Sequence, residues 1–487
     1  MAKNYNMLIN GEWVSSDSDA FIEILNPATH VTLGSVPRGN KNDIYKAVAC
    51  AKKGYEINRS NSARERHVYL VKAGNLLLEN LDELRATMIA ENGKSWAWAD
   101  FEVKKSAEIL LTIADRAKDP QGQTYPMDAM DGCAGQISMV YRQPRGVVGA
   151  IIPFNFPLEM LAYKVGGALA AGNSIVAKLS EDCPLTCLKA GALFLEAGIP
   201  KEAFHLITGY GTEAGEPLVE HPEVPMITFT GSSEVGRIIM EKSAKYLKHL
   251  SLELGGNDPV IVFEDADLDL IAQNIVRGRM TVGNGQACVA DKRFIVQEKV
   301  YDTLIEKCAK VVATLQVGDP ADQAVDVGPV NNENAALNIE QQINESVQAG
   351  AKIVAGGKRF NKTFIQPTII KDVTPDMVLF REECFGPVAP FIKFSTEEEA
   401  LQLANDSVYG LQGAVYSNDI SRALRVADEM DVGGVVINGS SCFRPGNVPY
   451  MPRKQSGIGT DNMYNAYEEN TQGKAIVVHN AITRFRK

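Results

Sequence analysis

"GVVGAIIPFNFPLEMLAYKVGGALAAGNSIVAKLS", residues 146–180, decides the class of fold. The run "GVVGAIIP" is short, apolar and rich in β-branched residues, so it reads as a buried strand. "LEMLAYKVGGALAAG" has the length and pattern of a core helix, and "SIVAKLS" is strand-like again. The stretch is the most apolar in the chain but not a membrane span. Pro153 and Pro157 interrupt it, and Glu159 and Lys164 lie inside it. Downstream, "PLTCLKAGALFLEAG" reads as a helix opened by Pro184 and closed by Gly198. "FHLITG" and "PMITFTG" are further strands, each followed by a helical segment. Such alternation predicts an α/β fold on a parallel sheet, with ligands bound beyond the carboxyl ends of its strands.

A second alternating series occupies residues 260–450. Two β-like pieces, "GQISMVYRQ" and "KAIVVHN", stand outside both series and read as sheet edges used for subunit pairing. At 487 residues the chain is too long for one core, so two or three domains are expected. With 45% hydrophobic and 22% charged residues it is globular, neither disordered nor membrane-embedded. A formal charge of −11 argues against a nucleic-acid partner, which would need a basic patch. The eight cysteines are scattered, and "MAKNYNMLIN" contains no long apolar signal segment, so a reduced, cytoplasmic chain is expected. Cys183 and Cys187 are a close pair, but no second Cys/His pair nearby completes a zinc site, and no metal is expected.

Several residues carry chemistry, each beside a plainer reading. Cys288 lies in the glycine-bearing loop "VGNGQACVAD", 282–291; a cysteine there is either an inert small hydrophobe or an exposed nucleophile. "GYGTEAG", 209–215, is one residue too long for a dinucleotide fingerprint. "FTGSSEVG", 229–236, is better placed: Gly231 permits a tight turn and Ser232 opens a helix expected to run to Leu247. That start is either a capped helix end or a pyrophosphate site. Asn155, between Pro153 and Pro157 just beyond a strand, is a turn residue or a rigid oxyanion donor. Lys178 and Glu181 form a surface ion pair or hold a ribose, the carboxylate accepting its hydroxyls. Glu253 in "LELGG" sits on an apolar strand, where burial would raise its pKa and suit it to general-base work. "EECFGP", 382–387, is a similar acidic, aromatic and glycine turn.

Taken together, "PFNFP", "FTGSSEVG", "LELGG", "GQAC" and "EECFGP", in this order and at these intervals, resemble the aldehyde dehydrogenase superfamily. The resemblance runs from "INGEW" at 9–13 to "SGIG" at 456–459. It implies a Rossmann-like NAD-binding domain (1–119 and 143–253), an α/β catalytic domain (254–454) and a β-rich oligomerisation element (120–142 and 455–487). It also implies a homodimer or homotetramer. By position Cys288 resembles the nucleophile and Glu253 the general base. Asn155 resembles the side-chain donor of the oxyanion hole, with the Cys288 backbone N–H beside it. Phe154 and Ser232 match the pyrophosphate positions, Lys178 and Glu181 the adenosine ribose, and Glu383 and Phe385 the nicotinamide ribose and ring. NAD is the expected cofactor, because Glu181 repels a 2′-phosphate; Lys178 offers a counter-charge that leaves NADP usable.

One segment departs from the pattern. Many members read "PFGG-x-K-x-SG" where this chain reads "PYMPRKQSG", 449–457, so Met451, Pro452 and Arg453 replace a permissive double-glycine turn. "VVINGSSCFRPGNVPY", 435–450, is similar to the branch that contains lactaldehyde dehydrogenases. Ser441, Phe443 and Arg444 are the expected substrate residues, for a short hydroxylated or anionic aldehyde of the lactaldehyde or succinate semialdehyde type. Glu253 argues against a CoA-acylating enzyme, which needs no water-activating carboxylate. No histidine stands out as the partner a cysteine hydrolase would require. An inactive structural homologue is the remaining alternative.

Overall fold

The computed structural model describes residues 3–119, 122–460, 462–479 and 481. Two open sheets organise the chain. In the first, the strands Val147–Ile151, Ser174–Lys178, Phe204–Ile207, Met226–Thr230 and His249–Glu253 are parallel. Numbered along the chain, they lie in the spatial order five, four, one, two, three. The order reverses between Val147–Ile151 and Met226–Thr230, so a crevice opens there beyond the strand ends. Antiparallel strands close both edges, Met7–Ile9 with Glu12–Val14 on one side and Gly457–Ile458 on the other.

The helix Pro157–Ala170 has almost every residue buried, which explains its lack of a polar face. Pro157 starts it and Gly198, at φ +95°, follows the helix Leu185–Glu196, as the punctuation of the sequence predicts. The helix after Ser232 is shorter than expected. It spans Ser233–Ala244, and Leu247 lies beyond it in a left-handed conformation.

The second sheet has seven strands, in the order Lys352–Ala355, Thr368–Lys371, Val388–Phe394, Arg293–Gln297, Pro259–Val262, Gln412–Tyr416 and Gly434–Ile437. All but the first are parallel. Cys288 lies in the segment that feeds its central strand, Arg293–Gln297.

The two β-like outliers pair with each other. Thr471–Val478 runs antiparallel to Ile137–Pro144 over eight residue pairs, and Gly122–Gln123 adds a third strand. The segment 455–487 is not one element, however. Gly457–Ile458 belongs to the edge of the first sheet, and only the later strand joins the outlying one. Residues 120, 121, 461, 480 and 482–487 of the expected oligomerisation element lie outside the described residues. Among the described residues no helix is long and apolar enough to cross a membrane.

Candidate active site

The loop that presents Cys288 is held by its own sequence. Gly283, Asn284 and Gly285 all have positive φ, an unusual run that two glycines and an asparagine tolerate. The buried Asn284 amide secures the turn by donating to the carbonyls of Gly93 (2.8 Å) and Pro329 (2.9 Å) and accepting from the Gly328 N–H (2.9 Å). A Cβ on Gly285 would lie 2.4 Å from the Gly386 carbonyl carbon, so "GQAC" and "EECFGP" pack backbone to backbone. Gln286 accepts from the Asn331 N–H through its side chain (3.0 Å) and from Asn155 Nδ2 through its carbonyl (3.0 Å).

Asn155 therefore faces the Cys288 loop across the two sheets. One amide hydrogen is committed to Gln286 and the second is available to an oxyanion. Its placement rests on a buried network. The Lys94 ammonium donates to the Asn155 carbonyl (2.7 Å) and pairs with Glu102, both side chains being fully buried. Glu102 accepts from the Leu158 and Glu159 N–H groups at the start of Pro157–Ala170, and Asn92 donates to the Phe154 carbonyl (2.7 Å).

Glu253 is buried at the end of its strand. It pairs with Thr230 on one side and Gly457 on the other, and its carbonyl accepts from the Gly231 N–H (3.0 Å). The "LELGG" glycines make room for Glu383: a Cβ on Gly255 would lie 2.2 Å from a Glu383 oxygen. Lys292, also buried, bridges the Cys288 carbonyl (2.5 Å) and the Glu383 carboxylate (3.2 Å).

The dinucleotide candidates fall at the crevice of the first sheet. Gly231 and Ser232 follow one of its flanking strands and Phe154 and Asn155 the other. Ser232 caps the helix, its hydroxyl accepting from the Val235 N–H (3.3 Å). A Cβ on Gly231 would lie 2.3 Å from the Phe229 ring, so a larger residue there would have to displace that ring. Lys178 ends the neighbouring strand, in register with Ile151, and pairs with Glu181 at 2.5 Å. Phe385 and Phe154 meet edge to face at 6.0 Å between centroids. An N-terminal helix end, an acid–base pair and two aromatic side chains at a switch point fit a dinucleotide.

Cys288 opens onto a cavity of about 130 Å³. Trp98, Phe101, Phe156, Met160, Tyr163, Val282 and Ala287 make it mainly apolar, while Lys105, Glu159 and Arg444 supply charge. Enclosure pushes the Glu159 carboxyl up to about 7, helped by the neighbouring Glu102. Burial also pushes the Cys288 thiol up, against the opposing pull of Lys292, Arg444 and Tyr450. The Cys183 thiol is different. It is wholly buried, donates to Asn331 Oδ1 (3.1 Å), does not line the cavity, and burial pushes it well above the usual thiol range.

Of the three expected substrate residues, Arg444 lines the cavity. Ser441 and Phe443 do not. The Ser441 hydroxyl donates to the buried Asp291 carboxylate (2.6 Å), with the Val289 carbonyl as an alternative acceptor at 2.8 Å. Phe443 is 68% exposed. Sequence reasoning missed Tyr450, Glu159 and Lys292. Glu159 had a signal, a carboxylate inside the most apolar stretch. Tyr450 had another, a hydroxyl where the related pattern has phenylalanine.

A model of the aldehyde dehydrogenase family matches residues 13–476. The chain is 37% identical over 477 residues to a 3-sulfolactaldehyde dehydrogenase of Priestia aryabhattai, covering 98% of each. It is 37% identical to a succinate-semialdehyde dehydrogenase of Escherichia coli named for NADP, covering 93% of each. The structure of a lactaldehyde dehydrogenase from Escherichia coli superposes with a TM-score of 0.94 at 32% identity, covering 98% of this chain and 100% of that one. The chain thus belongs to the aldehyde dehydrogenase family. It is an enzyme that oxidises an aldehyde with NAD or NADP.

Proposed function

We propose that this enzyme oxidises a short aldehyde with an anionic or hydroxylated tail to its carboxylic acid, through a thioester on Cys288. The observation that carries the reading is one cavity holding both a cysteine and a guanidinium, Cys288 and Arg444. An engineered cavity of about 150 Å³ accepts benzene, so about 130 Å³ suits an aldehyde of a few carbons. The names of the relatives, sulfolactaldehyde and succinate semialdehyde, support a tail bearing a sulfonate or a carboxylate.

The Cys288 thiolate attacks the carbonyl carbon, and the Asn155 amide and the Cys288 N–H hold the resulting oxyanion. When bound, the dinucleotide supplies the hydride acceptor that turns the thiohemiacetal into a thioester. Phe154, Gly231 and Ser232 would hold its pyrophosphate, and Glu383 and Phe385 its nicotinamide half. Lys178 and Glu181 would hold the adenosine ribose, with Glu181 favouring NAD over NADP. Glu253 takes a proton from the water that cleaves the thioester, releasing the acid and the thiolate.

Arg444→Met is expected to raise KM for succinate semialdehyde by about 10- to 100-fold, the worth of a charge-assisted contact. A neutral aldehyde of the same length should lose far less. Glu159 ionises as pH rises through 7, which puts negative charge beside the tail, so KM for the anionic aldehyde should climb above that pH. Glu159→Gln should flatten the climb. Equal losses for charged and neutral aldehydes in the Arg444 variant would refute tail recognition.

The arm built from Ile137–Pro144 and Thr471–Val478 exposes Ile137, Met139, Ile476, Val477 and Val478. A second copy pairing there would cover them, giving a homodimer or homotetramer. Sedimentation velocity should find no substantial monomer at micromolar concentration, and a monomer would count against this role for the arm.

A further inference from the structure

Tyr450 stands where the related pattern has phenylalanine, and its extra atom is next to the reacting sulfur. The side chain is 3% exposed, and its hydroxyl lies 3.7 Å from Cys288 Sγ, its hydrogen-bond partner among the described residues. The Arg444 guanidinium covers the ring, 3.8 Å from its centroid. The residues after Tyr450 fix it in place. The Met451 carbonyl lies so close to Gly433 that a Cβ there would be 1.7 Å away. Arg453–Lys454 then pairs antiparallel with Tyr409–Gly410. The segment that replaces the double-glycine turn is thus tied to two neighbouring stretches of backbone.

We propose that Tyr450 is a catalytic residue of this chain, donating a hydrogen bond to the Cys288 sulfur as thiolate, with the stacked Arg444 strengthening the donor. The proposal rests on Cys288 being the nucleophile. A cation over the ring face draws electron density from the phenol and favours donation. A buried hydroxyl is costly to leave without a partner, so the thiol also satisfies Tyr450.

The bond acts at both ends of the reaction. On attack, the thiolate pair forms the S–C bond, the carbonyl π pair moves to oxygen, and the hydrogen bond to sulfur weakens. On hydrolysis the water oxygen bonds to carbon, its proton passes to Glu253, and the C–S pair returns to a sulfur that Tyr450 again solvates. Lowering a thiol pKa by one unit raises the thiolate fraction about tenfold below that pKa and costs about threefold in nucleophilicity. The net gain in attack is about threefold, and departure of the sulfur is faster as well. The other charges facing the thiol are Lys292, Arg444 and Glu383; those facing the phenol are Cys288, Arg444, Glu253 and Asp258.

Tyr450→Phe keeps the ring under Arg444 and removes only the hydroxyl. The test is the rate of Cys288 alkylation by iodoacetamide against pH, on the purified enzyme without cofactor, with the labelled peptide identified. The midpoint of the variant should move up by about one pH unit, with a high-pH plateau no lower than wild type. The acid limb of kcat/KM should move the same way. A purely packing role would leave both midpoints in place, and an unchanged midpoint with Cys288 still the labelled residue overturns the proposal. Inactivating label on a different cysteine would instead overturn the assignment of the nucleophile, and the proposal with it.

Discussion

Cys288→Ala is expected to lose at least about 10⁴-fold in kcat with any aldehyde, because no other group in the cavity can form the acyl intermediate. The other thiol lining the cavity is Cys442, which contacts the carbonyls of Gly278 (3.2 Å) and Val289 (3.4 Å), and which burial pushes well above the usual thiol range. The substitution removes one small, partly exposed side chain, so unfolding stability should change by no more than about 1 kcal/mol. NADH formation by the purified variant, followed at 340 nm alongside a denaturant titration, separates loss of chemistry from loss of fold. Turnover within about tenfold of wild type would exclude Cys288 as nucleophile.

Glu253→Gln is expected to divide the reaction in two. Gln keeps the shape at the strand end but cannot accept a proton from water, so thioester hydrolysis should slow by about 10²- to 10⁴-fold. In the proposed mechanism, attack and hydride transfer depend chiefly on the thiolate and on the Asn155 and Cys288 donors. Rapid mixing with cofactor and aldehyde should therefore give a burst of NADH near one per active site, then very slow turnover. A variant with wild-type steady-state turnover would make Glu253 a structural carboxylate and bring a CoA-acylating enzyme back into play. Loss of the burst while the thiol stays reactive would assign Glu253 an earlier role.

The sheet strands and their helices were legible because burial on both faces leaves short apolar runs, and because Pro157, Pro184 and Gly198 mark helix ends. The residues at the strand ends were legible for a related reason: topology alone puts Asn155, Lys178 and Ser232 at the mouth of the sheet. What was hidden depended on contacts far apart in the chain. Tyr450 meets a sulfur 162 residues away, and no periodicity reports such a contact. The surroundings of Ser441 were hidden for a similar reason. Its hydroxyl, in the stretch expected to line the tunnel, donates a hydrogen bond to the buried Asp291, 150 residues earlier. The end of the chain was split differently for want of any signal that "SGIG" would pair with the strand of Glu253. Lys292 and Glu383, 91 positions apart by number, meet where Gly255 leaves space for the carboxylate.

The most direct measurement is peptide mapping by mass spectrometry of Glu253→Gln, acid-quenched within the first turnover with cofactor and aldehyde. The peptide containing Cys288 should carry the mass of the acyl group at near-stoichiometric occupancy, and the peptides containing Cys183 and Cys442 should carry none. An acyl group on either of those cysteines, or an NADH burst with Cys288 unmodified, would contradict the assignment of Cys288 as the covalent centre.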